Sequence, residues 1–344
     1  MMGIEHIENI RALPGAEVVA ISDPHGPSRD SAAARLGPSL RVFEHHRDLL
    51  TDGGCDAVVI ASPNMTHAAL LRDVLAVDGL HVLVEKPLCT TVADCREVAE
   101  LAAGRSGVVW VGLEYRYMAP VARLVHEVRS GAVGRLRMLS IREHRFPFLR
   151  KVDDWNRFSE NTGGTLVEKC CHFFDLMNLV VGDRAVRVLA SGGQDVNHLD
   201  EIYRGRRSDI LDNAYVIVEY ANGVRAMLDL CMFAEATHHQ EELVAVGDAG
   251  KVEAFLPQHT VRTGRRGTHW IGGVEHDQVH DERVAYEGFH HGASYLEHLD
   301  FLAAIHTGAD PVVGVRDGLA AVAIGVAAHR SIEEGRAVLL SELL

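Results

Sequence analysis

Lysine is scarce in this sequence. Only four of the 34 basic residues are lysines, namely Lys86, Lys151, Lys169 and Lys251, and the rest are arginines. A background that prefers arginine this strongly keeps a lysine either by chance or because a compact ammonium with an adjustable pKa is needed there. Each lysine is therefore worth testing as a functional residue.

Long apolar runs and a surplus of positive charge are also lacking. No stretch of 18 apolar residues exists, and the N-terminus has no basic segment followed by an apolar one. The formal net charge is −14, and a negative potential of this kind repels nucleic acids and anionic membranes. We therefore expect a cytoplasmic protein that binds neither.

The cysteines form no recognisable framework. The six cysteines include no C-x-x-C pair, so disulfide and structural zinc interpretations are both weak and buried free thiols are expected. With 344 residues, 47% of them apolar, the chain is long enough for two cores. Two domains are the default expectation.

The first hundred residues alternate between short apolar strands and helices. Strands are predicted at EVVAISD (17–23), AVVIAS (57–62) and HVLVEKP (81–87), with helices of about ten residues between them. This alternation is typical of a doubly wound parallel sheet. The segment MMGIEHIENIRAL has the pattern of a helix, yet no strand precedes it.

The spacing of Gly3 and Asp23 suggests what precedes that helix in a complete fold. Dinucleotide-binding folds run from a strand through G-x-G-x-x-G into a helix, with an acidic residue about twenty positions later that binds the ribose. With Gly3 as the third glycine, Asp23 falls at that position. We expect that the chain begins inside the phosphate-binding loop because of a misassigned translation start. Alternatively, Gly3 is a chance glycine and Asp23 an ordinary turn residue.

The second half predicts antiparallel strands. Two alternating runs surround Asn222-Gly223, a strong hairpin signal, and the pattern repeats around 248–250. Residues 315–335 then have the pattern of a closing helix that Gly335 ends.

Five stretches resemble the Gfo/Idh/MocA family of NAD(P)-dependent oxidoreductases. They are GIEH at the first helix, ASPNMTH (61–67), VLVEKPL (82–88), EYRYMAP (114–120) and GGTLVEKCCHFFD (163–175). The resemblance implies an N-terminal Rossmann domain, placed at 1–117, whose first strand and part of whose glycine loop are missing here. It also implies a C-terminal α/β domain at 118–344, with a large, mostly antiparallel sheet for substrate binding and oligomerisation.

By this resemblance His172 is the general acid/base. If a helix runs from about Leu166, Glu168 and His172 lie four residues apart on one face, so the carboxylate can orient the imidazole. An imidazole suits the task because its pKa lies near neutrality. A purely structural Glu-His pair is the alternative, and the family motif around the pair favours catalysis.

Lys86, in the EKP stretch, is the second expected catalytic residue. It follows a buried strand at the carboxyl edge of a parallel sheet, where ligands bind in such folds. The resemblance places it between nicotinamide and the reacting hydroxyl, where its ammonium can stabilise alkoxide-like charge. A solvated cation at a strand end is the alternative. Lys169 is interpreted as a surface charge, with contact to an acidic or phosphorylated substrate left open.

Cofactor contacts are expected from the ends of the predicted strands. The resemblance adds Ser62, Pro63, Asn64 and His67, together with Glu85 and Lys86, to Gly3 and Asp23. Ser62 or Asn64 is also expected to act as a helix N-cap. The carboxylate of Asp23 favours NAD over NADP because it accepts from the ribose hydroxyls and repels a 2′-phosphate, although Arg29 keeps NADP open.

Substrate contacts are expected from two aromatic and basic stretches. Arg116 and Tyr117 in EYRYM, and Trp155, Asn156 and Arg157 in DDWNRF, offer stacking and bidentate hydrogen bonds suited to a polyol. Trp155 can instead be a packing aromatic.

The histidines of 275–292 do not predict a metal site, because no zinc spacing such as H-E-x-x-H occurs there. A polar loop is the preferred interpretation.

Together these features predict an NAD(P)-dependent dehydrogenase that oxidises a secondary hydroxyl of a sugar, inositol or related polyol. Two alternatives within the family remain, an NAD-dependent glycoside hydrolase and a non-catalytic sugar-sensing regulator. The resemblance also implies a homodimer or homotetramer.

Overall fold

The computed structural model describes residues 2–344 and has an α/β architecture. Its helices are α1 (Met2–Ala12), α2 (Gly26–Leu36), α3 (His46–Asp52), α4 (His67–Leu75), α5 (Val92–Ala102), α6 (Ala119–Arg129), α7 (Ser159–Thr162), α8 (Thr165–Glu168), α9 (Cys171–Val181), α10 (Ala293–Thr307) and α11 (Val315–Glu334). Its strands are β1 (Ala20–Ser22), β2 (Arg41–Phe43), β3 (Ala57–Ile60), β4 (His81–Glu85), β5 (Val109–Gly112), β6 (Leu136–His144), β7 (Ala185–Gly193), β8 (Ile202–Tyr203), β9 (Arg206–Arg207), β10 (Asn213–Tyr220), β11 (Arg225–Cys231), β12 (Glu241–Gly247), β13 (Gly250–Leu256), β14 (Thr260–Arg265), β15 (Glu275–Gln278) and β16 (Val338–Leu339).

The N-terminal part is a Rossmann fold whose parallel strands form two separate sheets. One sheet pairs β1 with β2, and the other has the order β3-β4-β5. Within residues 2–344 no strand bridges β1 and β3. The predicted opening helix is confirmed as α1, and β4 is almost entirely apolar and buried, as a central parallel strand should be.

The C-terminal part is dominated by a nine-stranded mixed sheet. Its order is β15-β14-β13-β12-β6-β11-β10-β7-β16, and only β6 and β11 pair in parallel. Both predicted hairpins are confirmed, since β10 pairs with β11 around Asn222-Gly223 and β12 with β13 around 248–250. The fold class predicted from the sequence is therefore correct.

The closing helix α11 joins the two parts. It ends where predicted, because Gly335 adopts a left-handed conformation with φ of 63°. Gly318 lies so close to Leu88 and Val111 that an added Cβ would sit 2.9 Å from the Leu88 side chain. Just before α11, the carbonyl of Val313 accepts a hydrogen bond from the Val111 amide at 3.0 Å, beside β5. The C-terminal chain thus packs on the Rossmann part, and the domain boundary at 117 remains a prediction.

The predicted single helix from Leu166 is wrong. The chain forms the short α8, then a break at Lys169 and Cys170, and then α9. At the break the Cys170 amide bonds to the carbonyl of Thr165, five residues back, at 3.4 Å. Such a wide turn inserts one extra residue into the helical path and rotates the next helix about its axis. Glu168 and His172 therefore do not share a face.

Candidate active site

Lys86 and His172 come together where the two parts of the fold meet. Lys86 follows β4, and its Nζ donates a hydrogen bond to the backbone carbonyl of Glu168, at the end of α8, at 3.0 Å. His172 lies in the first turn of α9, and Lys86 and Lys169 are the cations that most strongly affect its pKa. A lysine from one part and a histidine from the other are thus neighbours, and their joint action on one substrate remains a prediction.

The charged form of Lys86 is favoured. Burial alone would lower its pKa, but Cys171, Glu168 and Glu85 together outweigh burial and raise it. Lys86 is therefore an ammonium at neutral pH. A fixed ammonium can stabilise negative charge that develops on a substrate oxygen.

Two glycines allow α8 to start beside this lysine. Gly163 and Gly164 have φ of 80° and 85°, a region that other residues avoid. A Cβ on Gly164 would lie 2.4 Å from Nε2 of His329, the same atom that accepts a hydrogen bond from the Leu166 amide at 3.1 Å. The diglycine thus lets the imidazole of His329, on α11, cap the start of α8.

His172 is buried and only partly satisfied. Its side chain is 2% exposed, and the ring of Tyr115 stacks on it with centroids 4.0 Å apart and planes 9° from parallel. Its Nδ1 has no hydrogen-bond partner. Burial, reinforced by Lys86 and Lys169, lowers the pKa of His172 well below its usual value. The ring is therefore neutral and can accept a proton.

The expectation that Glu168 orients His172 is not supported by the geometry. The Oε2 of Glu168 and the Nδ1 of His172 are both buried without partners, because the wide turn between them separates their faces. The carboxylate nearest to His172 is that of Glu114, whose Oε1 lies 3.8 Å from Nε2. Glu168 contributes to the site through its backbone carbonyl, which holds Lys86, and through its carboxyl, whose pKa burial raises.

The interpretation of Lys169 as a surface charge is wrong. Lys169 is 5% exposed, its Nζ lies 2.8 Å from Oε1 of Glu143, and it donates to the hydroxyl of Tyr115 at 2.8 Å. Because Tyr115 stacks on His172, Lys169 fixes the wall of the site. It is committed to protein partners and is not free for an acidic substrate.

The ends of β1 and β3 fit a dinucleotide. Gly3, in the first turn of α1, lies beside the end of β3, with its Cβ position 4.0 Å from the Cβ of Ala61. Asp23 follows β1, and its Oδ1 accepts a hydrogen bond from the His25 amide at 2.8 Å. Arg29, which left NADP open, donates to the backbone carbonyl of Asp23 and lies 3.6 Å from Glu44. The carboxylate of Asp23 and the first turn of α1 are suited to the ribose and the pyrophosphate of NAD.

The loop after β3 does not provide the predicted helix N-cap. Neither Ser62 nor Asn64 caps a helix: Ser62 hydrogen-bonds to the hydroxyl of Thr66 at 2.6 Å, and the buried Nδ2 of Asn64 has no partner. That unpaired donor is consistent with a contact to a cofactor. Pro63 precedes the turn, and its carbonyl accepts from the Thr66 amide at 2.8 Å.

His67 and Glu85 each hydrogen-bond to protein groups near the expected cofactor position. The ring nitrogens of His67 lie 2.8 Å from the carbonyl of Pro87 and 3.1 Å from that of Ser62, so the ring ties the two loops together. Glu85 Oε1 lies 2.8 Å from Nε2 of His6, and its Oε2 accepts from the Lys86 amide at 3.1 Å. The expected contact of each side chain with the cofactor remains a prediction.

Two expected substrate residues, Arg116 and Arg157, are bonded to protein groups, and their contact with substrate remains a prediction. Arg116 makes a bidentate ion pair with Asp175 and further hydrogen bonds to Asp317 and to the carbonyl of Val312. Its guanidinium thus links α9 both to the segment before α11 and to α11 itself. Arg157 is 2% exposed and donates to Glu201 at 3.1 Å and to the carbonyl of Phe148 at 3.2 Å.

The other expected substrate residues are Tyr117, Asn156 and Trp155, and their contact with substrate remains a prediction. Tyr117 packs against Leu13 and Tyr295, between α1 and α10. Asn156 is buried and donates to the carbonyl of Leu149 at 2.9 Å. Trp155 is half-buried, and its contact with substrate remains a prediction.

The structure adds three residues that the sequence did not single out for this site. Glu114 and His290 lie 3.6 Å apart, from Oε1 to Nδ1, beside His172. Lys151 is half-buried, and after burial the charge of Lys86 is the largest influence lowering its pKa. The scarcity of lysine was the available signal for Lys151, because three of the four lysines surround this site.

Comparison with known proteins identifies the family. Residues 1–113 match the family model described as "Oxidoreductase family, NAD-binding Rossmann fold", and residues 126–340 match "Oxidoreductase family, C-terminal alpha/beta domain". The fold and site therefore define an NAD-binding oxidoreductase. The chain belongs to the Gfo/Idh/MocA family.

Relatives and solved structures span nearly the whole chain. It is 27% identical to a myo-inositol 2-dehydrogenase of Thermotoga maritima, over 100% of this chain and 97% of that protein. It is 23% identical to an NAD+-dependent scyllo-inositol 2-dehydrogenase of Bacillus subtilis, over 98% and 93%. An oxidoreductase domain protein from Kribbella flavida shares the fold with a TM-score of 0.86 at 20% identity, over 98% and 96% of the two chains.

Two further findings concern membranes and metals. Across residues 2–344, no helix combines the length and apolar character needed to cross a bilayer. In the same part of the chain, no group of three or more histidine, cysteine or acidic side chains is arranged to hold a metal ion.

Proposed function

We propose that this protein is an NAD-dependent dehydrogenase that oxidises a secondary hydroxyl of an inositol, sugar or related polyol. The observation that carries the proposal is the convergence of Lys86, held by the carbonyl of Glu168, with a neutral, buried His172. Inositol substrates are favoured because two relatives that match nearly end to end are inositol dehydrogenases by name. A cytoplasmic location remains part of the proposal.

Each residue has a defined task in this reaction. The ammonium of Lys86 binds the substrate hydroxyl oxygen and stabilises its developing negative charge. The unpartnered Nδ1 of His172 accepts the hydroxyl proton. Lys169 and Tyr115 hold the imidazole in place through the hydroxyl bond and the ring stack. Asp23, Asn64 and the first turn of α1 would hold NAD, which supplies the hydride acceptor when bound.

The test is NAD reduction by the purified full chain over a panel of inositols and sugars. Lys86→Met should lower kcat by at least about 100-fold, because it removes the charge that stabilises the transition state. Lys251→Met is the matched control, since Lys251 is exposed on β13 and pairs with Glu253 at 2.6 Å, outside the site. Equal activity of the two variants would refute the role of Lys86.

The same assay separates the two alternatives. A hydrolase would release product while NADH does not accumulate, because its NAD is regenerated in each cycle. A sugar-sensing regulator would bind a polyol without turnover. NADH that accumulates in proportion to the oxidised polyol excludes both.

A further inference from the structure

The proton released by this reaction starts from a buried position. Oxidation of a C–OH group removes a hydride and a proton, and the proposed function assigns that proton to His172. This side chain is 2% exposed and one of its faces is covered by Tyr115. The proton therefore needs a route to water that the residues so far assigned to catalysis do not supply.

A carboxyl and a second imidazole lie between His172 and the surface. Oε1 of Glu114 is 3.8 Å from Nε2 of His172 and 3.6 Å from Nδ1 of His290. The side chains of His172 and Glu114 are 2% and 3% exposed, whereas that of His290 is 22% exposed. Among the described residues, Glu114 is the only carboxylate within 4.0 Å of the His172 ring nitrogens.

The carboxyl of Glu114 lies between the two rings and has one oxygen without a hydrogen bond. Its Oε2 is buried and has no hydrogen-bond partner, so no bond anchors that oxygen. Both contacts are somewhat longer than a hydrogen bond, and such contacts commonly tighten only when substrate is bound. Rotation of the carboxyl can close one contact after the other.

We propose that Glu114 and His290 form a proton relay that carries the hydroxyl proton from His172 to solvent. The inference rests on the proposed dehydrogenase function. The proton enters His172 at Nδ1, and the proton on Nε2 passes to Glu114. Glu114 gives its own proton to Nδ1 of His290, and His290 releases the proton of its Nε2 to water. One proton thus leaves for each hydroxyl oxidised, and each group regains its starting charge. Both imidazoles are left as the opposite tautomer, with the proton on Nδ1, and exchange with water or rotation of the ring resets them before the next turnover.

The resting protonation states suit this transfer. Burial, with Glu85 adding to it and Lys86 and Lys169 opposing it, raises the pKa of Glu114 to about 8. A carboxyl that is protonated at neutral pH can give one proton and take another. Burial lowers the pKa of His290 to about 3, with Glu85 opposing and Lys169 and Lys86 adding to the effect. His290 is therefore neutral, and besides Glu114 its Nδ1 lies 3.3 Å from the hydroxyl of Ser294.

The neighbouring ionisable groups are poorly suited to replace this route. Lys169 is bonded to both Glu143 and Tyr115, and Lys86 is bonded to the Glu168 carbonyl. The carboxyl of Glu168 makes no hydrogen bond through Oε2 and has no contact with His172. The remaining exit is through the position of the substrate, after the product has left.

Stopped-flow measurement of one turnover tests the relay. NADH absorbance follows oxidation, and a pH-indicator dye in weak buffer follows proton release. In the unaltered protein we expect both signals to rise together. In His290→Gln and in Glu114→Gln, proton release should lag behind NADH formation by at least about tenfold, and added imidazole should shorten the lag. His276→Gln, an exposed histidine on β15, is the matched control.

A second readout needs neither cofactor nor substrate. The infrared difference spectrum between the cofactor-free unaltered protein and Glu114→Gln at pH 7 should contain the C=O stretch of a buried protonated carboxyl, because the bands of the other buried carboxyls cancel.

The results of these two experiments distinguish a failure of the proton relay from a failure of the proposed dehydrogenase function. Synchronous NADH and proton signals in both variants would overturn the relay while leaving the dehydrogenase intact. So would a difference spectrum in which Glu114→Gln removes no protonated-carboxyl band. If the unaltered protein reduces no NAD with any polyol, the proposed function fails and the relay fails with it.

Discussion

At the scale of single residues, three hydrogen-bonded side chains next to Lys86, those of His298, His6 and Glu85, keep the carboxyl of Glu85 ionised. Nδ1 of His298 lies 2.7 Å from the carbonyl of Ser294, so this nitrogen must carry the ring proton. Nε2 of His298 then accepts from Nδ1 of His6 at 3.2 Å. A proton is still needed between His6 Nε2 and Glu85 Oε1, which are 2.8 Å apart. Burial would raise the pKa of Glu85, but the bond from His6 outweighs it and lowers the pKa to about 2. His6 therefore donates this hydrogen bond to the ionised carboxylate of Glu85.

We expect His6→Gln to lower kcat by about 10- to 100-fold with a smaller change in KM. Without the hydrogen bond from His6, the Glu85 carboxylate attracts the nearby Lys86 more strongly, and the ammonium is drawn away from the substrate oxygen. Steady-state kinetics measure the effect, with His126→Gln, on the exposed face of α6, as the control. If His6 acts through Glu85, adding His6→Gln to Glu85→Gln should cost little more. Losses that multiply in the double variant would contradict this coupling.

What could be predicted at this scale depended on sequence spacing. Lys86 and His172 were found because each lies in a local motif at the end of a predicted element. Glu114 was missed because its approach to His172 joins segments 58 residues apart, and helical spacing pointed to Glu168 instead. The wide turn at Lys169 and Cys170 is set by tertiary packing, which no local pattern reports.

At the scale of elements, the start of α8 depends on two different demands on Gly164. Its φ of 85° disfavours any side chain, and its Cβ position lies 2.4 Å from the ring of His329. Gly182, which ends α9, has a comparable φ of 67° with nothing within 4 Å of its Cβ position. The pair therefore separates backbone strain from steric overlap.

We expect Gly182→Ala to cost about 1 kcal/mol of unfolding free energy and Gly164→Ala about 2 to 3 kcal/mol more than that. Urea titration measures both values. Gly164→Ala should also lower activity, because α8 carries the carbonyl that holds Lys86. Adding His329→Ala should recover part of the loss by removing the overlap. Equal costs at the two glycines would show that the packing of His329 is unimportant.

Asp212 stabilises the turn after β7 in a pH-dependent way. This buried carboxylate accepts hydrogen bonds from the amides of Asp195, Val196 and Asn197, the shortest at 2.7 Å. Burial raises its pKa, but the amide bonds together outweigh burial and lower it. Its folded pKa thus lies below the unfolded value of about 3.9. The stabilisation is complete above that value and is lost as the pH falls through the folded pKa.

We expect Asp212→Asn to lose about 2 kcal/mol of unfolding free energy at pH 7. The difference from the unaltered protein should shrink as the pH falls below about 4, because the carboxylate of the unfolded chain is protonated there first and the native carboxylate only at its lower folded pKa. Denaturant titrations at several pH values measure this difference, in which the other carboxylates cancel. A difference that stays constant down to about pH 3 would contradict the role of the charged form.

At the scale of the whole molecule, the composition and the strand pattern were sufficient to predict two α/β parts and a mostly antiparallel second sheet. Turn residues such as Asn222-Gly223 determine hairpins locally, so those strands were predictable. The parallel pairing of β11 with β6 joins residues 225–231 to 138–144 and has no local signature. The packing of α11 on the Rossmann part likewise depends on contacts with Leu88 and Val111 that are distant in sequence.

The outer face of the nine-stranded sheet carries exposed apolar side chains in one row. Leu189, Ile217 and Met227 face each other across β7, β10 and β11, and they are 47%, 42% and 39% exposed. Tyr215, two residues along β10, is 61% exposed. Charges at the margin are already paired within the chain, such as Arg187 with Glu219 at 2.7 Å. A self-complementary apolar row with a neutralised margin suits a second copy of this chain related by a two-fold axis.

We therefore expect a homodimer, or a tetramer built from it, that Ile217→Lys dissociates. The substitution puts two ammonium groups near the symmetry axis without partners, which should weaken association by more than about tenfold. Light scattering coupled to size exclusion measures the mass, and Ile202→Lys is the control because Ile202 is 63% exposed outside the large sheet. A monomeric unaltered protein, or an oligomer that survives Ile217→Lys, would show that this face is not the interface. Because the active site lies on the opposite, helix-covered side of the sheet, a dissociated variant that keeps its dehydrogenase activity would further indicate that each protomer carries a complete site.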